Sequence, residues 1–261
     1  MSDIEAHTFH RGDSPGSRCV NCHLAPVVIE SGRGRVRDHT ISTPSPQNTR
    51  KYNLPNACVE CHLAEPPGWV DEWFERWWPG AEERNHRTML CDTLFAARSD
   101  RDDAKEGLTA LAHGANPVYR AAAVWELGGS DVDLRPWLRD AHPLVQRGAI
   151  DGVAKSHPEA LESMLGHPNP VLRGAAAEAL AAKRVKSPFD WMRDRPGLRE
   201  RVLVVLEEMA RLRPDRSNPH YLAAVLHELS GRRGAARGAY ERYLRLNPYD
   251  DRVRSHLKRL Q

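Results

Sequence analysis

The chain has 261 residues, a formal net charge of +3 and only five cysteines. Basic and acidic residues interleave along most of it, which excludes a dedicated nucleic-acid face, because such a face needs its cations clustered. No apolar run is long enough to span a bilayer, and "MSDIEAHTFHRGD" lacks the basic-then-apolar order of a secretory signal.

Residues 1–68 are rich in Pro, Gly, Ser, Asn and His, with no apolar period of 2 or 3.6 sustained over ten residues. Such a segment cannot order itself by burying side chains alone. A metal, disulfides or a large apolar cofactor must contribute. Two stretches, "SRCVNCHLAP" and "NACVECHLAE", place Cys19, Cys22 and His23, then Cys58, Cys61 and His62, in the order C-x-x-C-H. That order suits c-type haem. Two thiols reach the two vinyl groups on one porphyrin edge and form thioethers, and the next histidine sits beneath the iron. A Cys₄ zinc site is the main competitor. Here 35 residues separate the two C-x-x-C pairs, beyond the usual spacing of about 15–20, and zinc gives no reason for a histidine after both. Disulfides within each pair leave both histidines unexplained as well. The expectation is two covalently bound haem c groups, with His23 and His62 as proximal iron ligands.

Each iron then needs a ligand on its other face. His7, His10, His39 and His86 are the candidates, since methionine is scarce in this region. Two histidines per iron give low-spin haems of lower potential than a His/Met pair. His39, in a loop-like context between the motifs, is the first candidate, His10 the second and His7 the third.

Residues 69–102 read as a Trp-rich helical junction. Trp69, Trp73 and Trp77 recur every four residues on one helix face, and Pro79-Gly80 ends that helix. At this spacing these rings and Trp78 are assigned to a junction core rather than to a haem edge. A second helix follows, with Met89, Leu90, Thr93, Leu94 and Ala97 toward a core, and Cys91 as a buried core thiol.

Residues 103–184 repeat. "NPVYRAAAVWELGG", "HPLVQRGAIDGVAKS" and "NPVLRGAAAEALAAK" align from their prolines, Pro117, Pro143 and Pro170, spaced 26 and 27 apart. Leu108, Leu111, Leu134, Leu138, Leu161 and Leu165 fall in the shorter helices between them. The pattern resembles the two-helix HEAT unit. In residues 185–261, Ala224, Gly231, Ala236, Tyr240, Tyr243 and Pro248 fit the tetratricopeptide pattern, and Pro214 and Pro248 lie 34 apart, the period of that repeat. "DDRVRSHLKRLQ" reads as a capping helix. The histidines of both repeat segments are assigned to surface or packing. The expected fold class is therefore mainly α: a dihaem module with little secondary structure, then an α-solenoid.

On "SPGSRCVNCH", "RDHTISTPSP" and "LPNACVECH" followed by a Trp-rich helix, the chain resembles multihaem c-type cytochromes that carry paired C-x-x-C-H motifs ahead of HEAT and tetratricopeptide repeats. The resemblance is close over residues 7 to about 80 and looser over the repeats. It implies electron transfer rather than enzymatic turnover, and it implies His39 and His10 as ligands. Two departures stand out. Leu24-Ala25-Pro26 follows His23 where such proteins commonly have Met-Pro, and no further motifs or secretory signal lie upstream. The chain thus reads as the C-terminal part of a larger cytochrome, a shortened relative or a mature product, with His7 or His10 able to serve a haem on another chain.

The expected role is an electron carrier working with redox partner proteins in an extracytoplasmic compartment, where haem c is attached. Self-association through haem contacts would give a second reading, a subunit of a filament. A third is a haem enzyme reducing a small nitrogen oxyanion, which requires an open coordination position. A fourth is a zinc-stabilised repeat scaffold.

Overall fold

The computed structural model describes residues 3–28, 34–37, 39, 43–66, 68–99, 104–182, 192 and 194–260. The protein is mainly α-helical and divides into two compact units, Met1–Arg101 and Asp102–Gln261. Among the described residues, no helix is long and apolar enough to cross a membrane.

The first unit is built from short elements: α1 (Ile4–Thr8), α2 (Cys19–His23), strands β1 (Pro26–Val28) and β2 (Arg35–Arg37), α3 (Pro46–Tyr52), α4 (Trp69–Trp77) and α5 (Glu82–Arg98). Asp3 caps α1 by accepting from the Ala6 amide at 3.0 Å. The two strands pair antiparallel, with Val27 opposite Val36. The tryptophan helix α4 belongs to the same unit as the first 68 residues. Helix α3 is fastened to α4 and α5 by polar groups. Arg50 pairs with Asp71 at 2.6 Å, Lys51 and the Tyr52 hydroxyl both meet Asp92, and the Asn48 amide donates to the Cys91 sulfur at 3.2 Å. The stripe of α5 that meets α3 therefore runs through Thr88, Cys91, Asp92 and the exposed Phe95, whose ring lies 4.7 Å from that of Tyr52. Met89, expected to face a core, lies off this stripe and is exposed. Cys91 is only half-buried, because its neighbour is an amide rather than an aliphatic core.

Among the described residues of this unit, Pro46 and Ala96 are the buried apolar side chains. The remaining apolar core of the chain lies in the second unit. A unit of this size that buries so little has no conventional core to offset its conformational entropy.

The second unit contains α6 (Ala104–Ala112), α7 (Pro117–Leu127), α8 (Pro143–Ser156), α9 (Pro170–Ala181), α10 (Pro196–Leu212), α11 (Ser217–Leu229), α12 (Arg233–Leu246) and α13 (Asp251–Arg259). Each helix packs on the next along the chain. The three aligned prolines all occupy the first helical position, where the missing N–H costs nothing. The residue before each is the cap: Asn116, His142 Nδ1 and Asn169 accept from the amides of Val118, Leu144 and Val171. Four residues after each cap, a long polar side chain reaches back to a loop carbonyl. Arg120 meets Ala115 at 2.8 Å, Gln146 meets Asp140 at 2.6 Å and Arg173 meets His167 at 2.6 Å. Between these helices the structure has 3-10 turns at Arg135–Arg139, Pro158–Leu161 and Ser163–Gly166, in place of the expected short helices. Pro136 and Pro158 sit at their starts, and their leucines are still buried. At Gly152 a Cβ would run into Gly128 and Leu134, so the small residues here permit close helix approach.

In the C-terminal part, Ala224, Ala239, Tyr240 and Val253 form a buried cluster with Tyr221, Tyr243 and Leu257 against it. The Tyr240 hydroxyl and His256 Nε2 both meet Glu228, at 3.1 and 2.8 Å. Gly231 takes φ +72 between α11 and α12, a left-handed conformation that glycine adopts without a Cβ penalty. Residues 183–191, where that reading begins, lie outside the described residues.

Candidate functional site

Where the first unit lacks a core it has a cavity of about 430 Å³, a size typical of small-molecule and cofactor sites. All four motif cysteines line it, together with His23, His62, His7 and His10. An apolar wall comes from α4 and its C-cap, with Trp69, Val70, Trp73, Phe74, Trp77 and Trp78.

Both motifs make one helical turn. The first is α2 itself. In the second, the His62 amide donates to the Cys58 carbonyl at 3.0 Å. A single turn places residues i, i+3 and i+4 on one face, so both cysteines and the histidine of each motif look the same way. The Cys58 turn is started by Asn56, whose side chain accepts from the Cys58 amide at 3.0 Å. Strand β2 then ties the motifs together. Arg37 donates to the Val20 carbonyl at 2.8 Å, the Leu24 carbonyl at 3.0 Å and Asn21 Oδ1 at 2.9 Å, filling acceptors at the C-terminal end of α2. Two residues earlier, Arg35 pairs with Glu60, inside the second motif.

The N-terminal histidines reach the cavity through a strained reversal. Phe9 adopts φ +54, a left-handed conformation that a bulky residue rarely takes. Its ring is anchored on α4, stacked on Trp77 at 4.8 Å and edge-on to Trp78 at 5.3 Å. On one side of this hinge the His7 ring lies 6.2 Å from that of His23, with planes 17° apart. On the other, the His10 ring lies 6.1 Å from that of His62, with planes 52° apart. The two N-terminal histidines are thus each matched with one motif histidine.

His39, the first candidate from sequence, is exposed and does not line the cavity, and neither does the exposed His86, whose Nε2 is 4.0 Å from Glu82. The structure brings His7 and His10 to the motifs instead. The tryptophans also take a different place from the expected junction core. They are half-buried and form a wall of the cavity, with Trp69 4.8 Å from the His62 ring. The signal in the sequence was a stripe of large aromatics at helical spacing directly after a segment that has two C-x-x-C-H motifs and no apolar period.

Burial, first, and then the nearby Cys19 and Cys61 raise the Cys22 thiol above its ordinary value. Cys58 is pushed up to about 12, chiefly by burial and then by Cys22. Thiols of both motifs therefore face one another across a site that disfavours thiolate. A thioether is neutral and meets no such cost. Among the described residues, no group of three or more His, Cys, Asp or Glu converges as a metal-binding set. Histidines instead come in twos, which is what an iron already held by four porphyrin nitrogens requires of the protein. The donor set and the apolar wall fit haem c. Comparison with protein-family models, with curated proteins and with solved structures finds no match to this chain.

Proposed function

We propose that the chain is a c-type cytochrome that transfers electrons through two haems, each fixed by two thioethers and two histidines. The observation that carries this reading is the apolar cavity, which gathers four motif cysteines and four histidines in a unit with almost no other core. Bound there, haem supplies reversible one-electron chemistry. The chain's own residues do the rest. Cys19, Cys22, Cys58 and Cys61 anchor, His23 and His62 bind from below, and the α4 rings exclude water and lower the local dielectric. Filling both faces of each iron leaves no position for a substrate, which favours an electron carrier over an enzyme acting on a nitrogen oxyanion. Thioether attachment places its maturation outside the cytoplasm.

The second unit, on this reading, is a solenoid of HEAT-like and tetratricopeptide-like pairs that docks redox partner proteins. The order of helix contacts and the recurrent cap-proline-arginine pattern support it.

The test is a haem-stained denaturing gel with a haemochrome count on chain matured with c-type haem. The expected result is two haems per chain that survive denaturation. Zinc in place of covalent haem would overturn the proposal.

A further inference from the structure

We infer that the two irons have fixed and unequal axial pairs, His7 with His23 and His10 with His62, and that Gly16 is the positioning residue that seats His10. This rests on the haem reading above and goes beyond it, because the C-x-x-C-H motif is silent about the opposite face of the iron.

The spacing argument is independent of the motif. A metal–imidazole bond is about 2.0–2.1 Å and the nitrogen lies about 1.1 Å from the ring centre, so two trans imidazoles hold their centres about 6.3 Å apart. The observed separations are 6.2 and 6.1 Å. Both are close to the span of two imidazoles bridged by one metal.

The two pairs are held differently. His10 Nδ1 lies 2.5 Å from the Thr8 carbonyl, which can only accept. The proton is therefore on Nδ1, and Nε2 carries the lone pair a metal needs. The ring rests on Gly16, where an added Cβ would overlap the imidazole, 2.6 Å from Nε2. Gly16 has no positive φ, so an alanine is allowed by the backbone and is opposed only by the His10 ring. His7 has no such seat. It sits in the last turn of α1, with Trp78 6.4 Å away.

Plane angle separates the two irons spectroscopically. Near-parallel imidazoles, 17° apart, split the iron d orbitals more and give a rhombic low-spin signal. Planes 52° apart give a signal with a larger maximum g. The experiment uses the full holo chain in wild-type form and as Gly16→Ala, His10→Ala, His7→Ala and His39→Ala. Covalent haem is counted, oxidised protein is examined by electron paramagnetic resonance, and reduced protein is titrated with carbon monoxide. All forms should keep two covalent haems. Gly16→Ala and His10→Ala should each lose the larger-g signal and let one haem of two bind carbon monoxide. His7→Ala should lose the rhombic signal, and His39→Ala should match wild type. Loss of one signal in His39→Ala would overturn the pairing, as would a His10→Ala chain that stays low-spin and inert to carbon monoxide. If Gly16→Ala keeps the wild-type spectrum while His10→Ala does not, the pairing stands and the seat is wrong. If Gly16→Ala does not accumulate, Gly16→Ser and His10→Ala carry the same comparison. A wild-type chain without covalent haem would instead remove the underlying cytochrome reading, so the two failures are distinct.

Discussion

Arg37 directs its guanidinium at two carbonyls and an amide oxygen, all at the first motif, rather than at an acid. Its neighbour Arg35 takes the acid, Glu60, which holds that carboxyl below the usual range through a hydrogen bond and charge. A three-residue strand thus fastens the two C-x-x-C-H motifs to one another through its side chains. Replacing Arg37 by Met should free the acceptors at the end of α2 and cost about 1 kcal/mol, at the low end because the guanidinium is solvated. The check is thermal unfolding followed at the haem absorbance, with covalent haem unchanged. None of this was legible in the sequence. "RGRVRDH" reads as a charged loop, because the partners of Arg35 and Arg37 are 13 to 25 residues away and not at helical spacing.

At the scale of elements, local signals and long-range ones part company. The caps and N1 prolines of α7, α8 and α9 could be read directly, because a cap acts on amides two or three residues ahead. Asn169→Ala should therefore destabilise the second unit by about 1 kcal/mol, lowering its Tm by about 2–4 °C. Leu127→Ala, which empties a fully buried position on α7, should cost about 2–5 kcal/mol, seen as a lower urea midpoint. The places of the candidate distal histidines were not so readable. His39 lies in chain between the motifs, yet closeness in sequence says nothing about which loop folds back. His7 and His10 reach the cavity only through the left-handed turn at Phe9, and phenylalanine carries no sequence signal for that conformation. The inner face of α5 misled in the same way. Its stripe is polar, so Met89 looked like the better core residue.

For the whole molecule, the two units should respond to different agents. On the proposed haem reading, a chain without haem lacks what orders its first unit, while the helices from α6 onward keep their own core. Limited proteolysis of haem-free full chain should cut within the first hundred residues and spare a fragment that begins near residue 102. Equal susceptibility along the chain would sink the idea. The second unit has its own sensitivity, to acid. His220 and His227 of α11 are buried, and burial is the main reason both are held below the ordinary imidazole value. As pH falls through about 6.5, unfolded chain takes up protons that the folded rings do not, so stability is lost downward from there. The Tm of that unit should drop between pH 7.5 and 5.5, and His220→Gln should flatten the slope. The near-empty core of the first unit has a further consequence, for how each half tolerates change. With only Pro46 and Ala96 buried among the described apolar side chains, few positions there sit in an apolar core. A saturation scan of function should show a few isolated intolerant sites in that unit, at anchors, axial rings, Gly16 and the α4 aromatics. In the second unit it should show intolerance recurring with helical period, so that one polypeptide drifts under two separate rules.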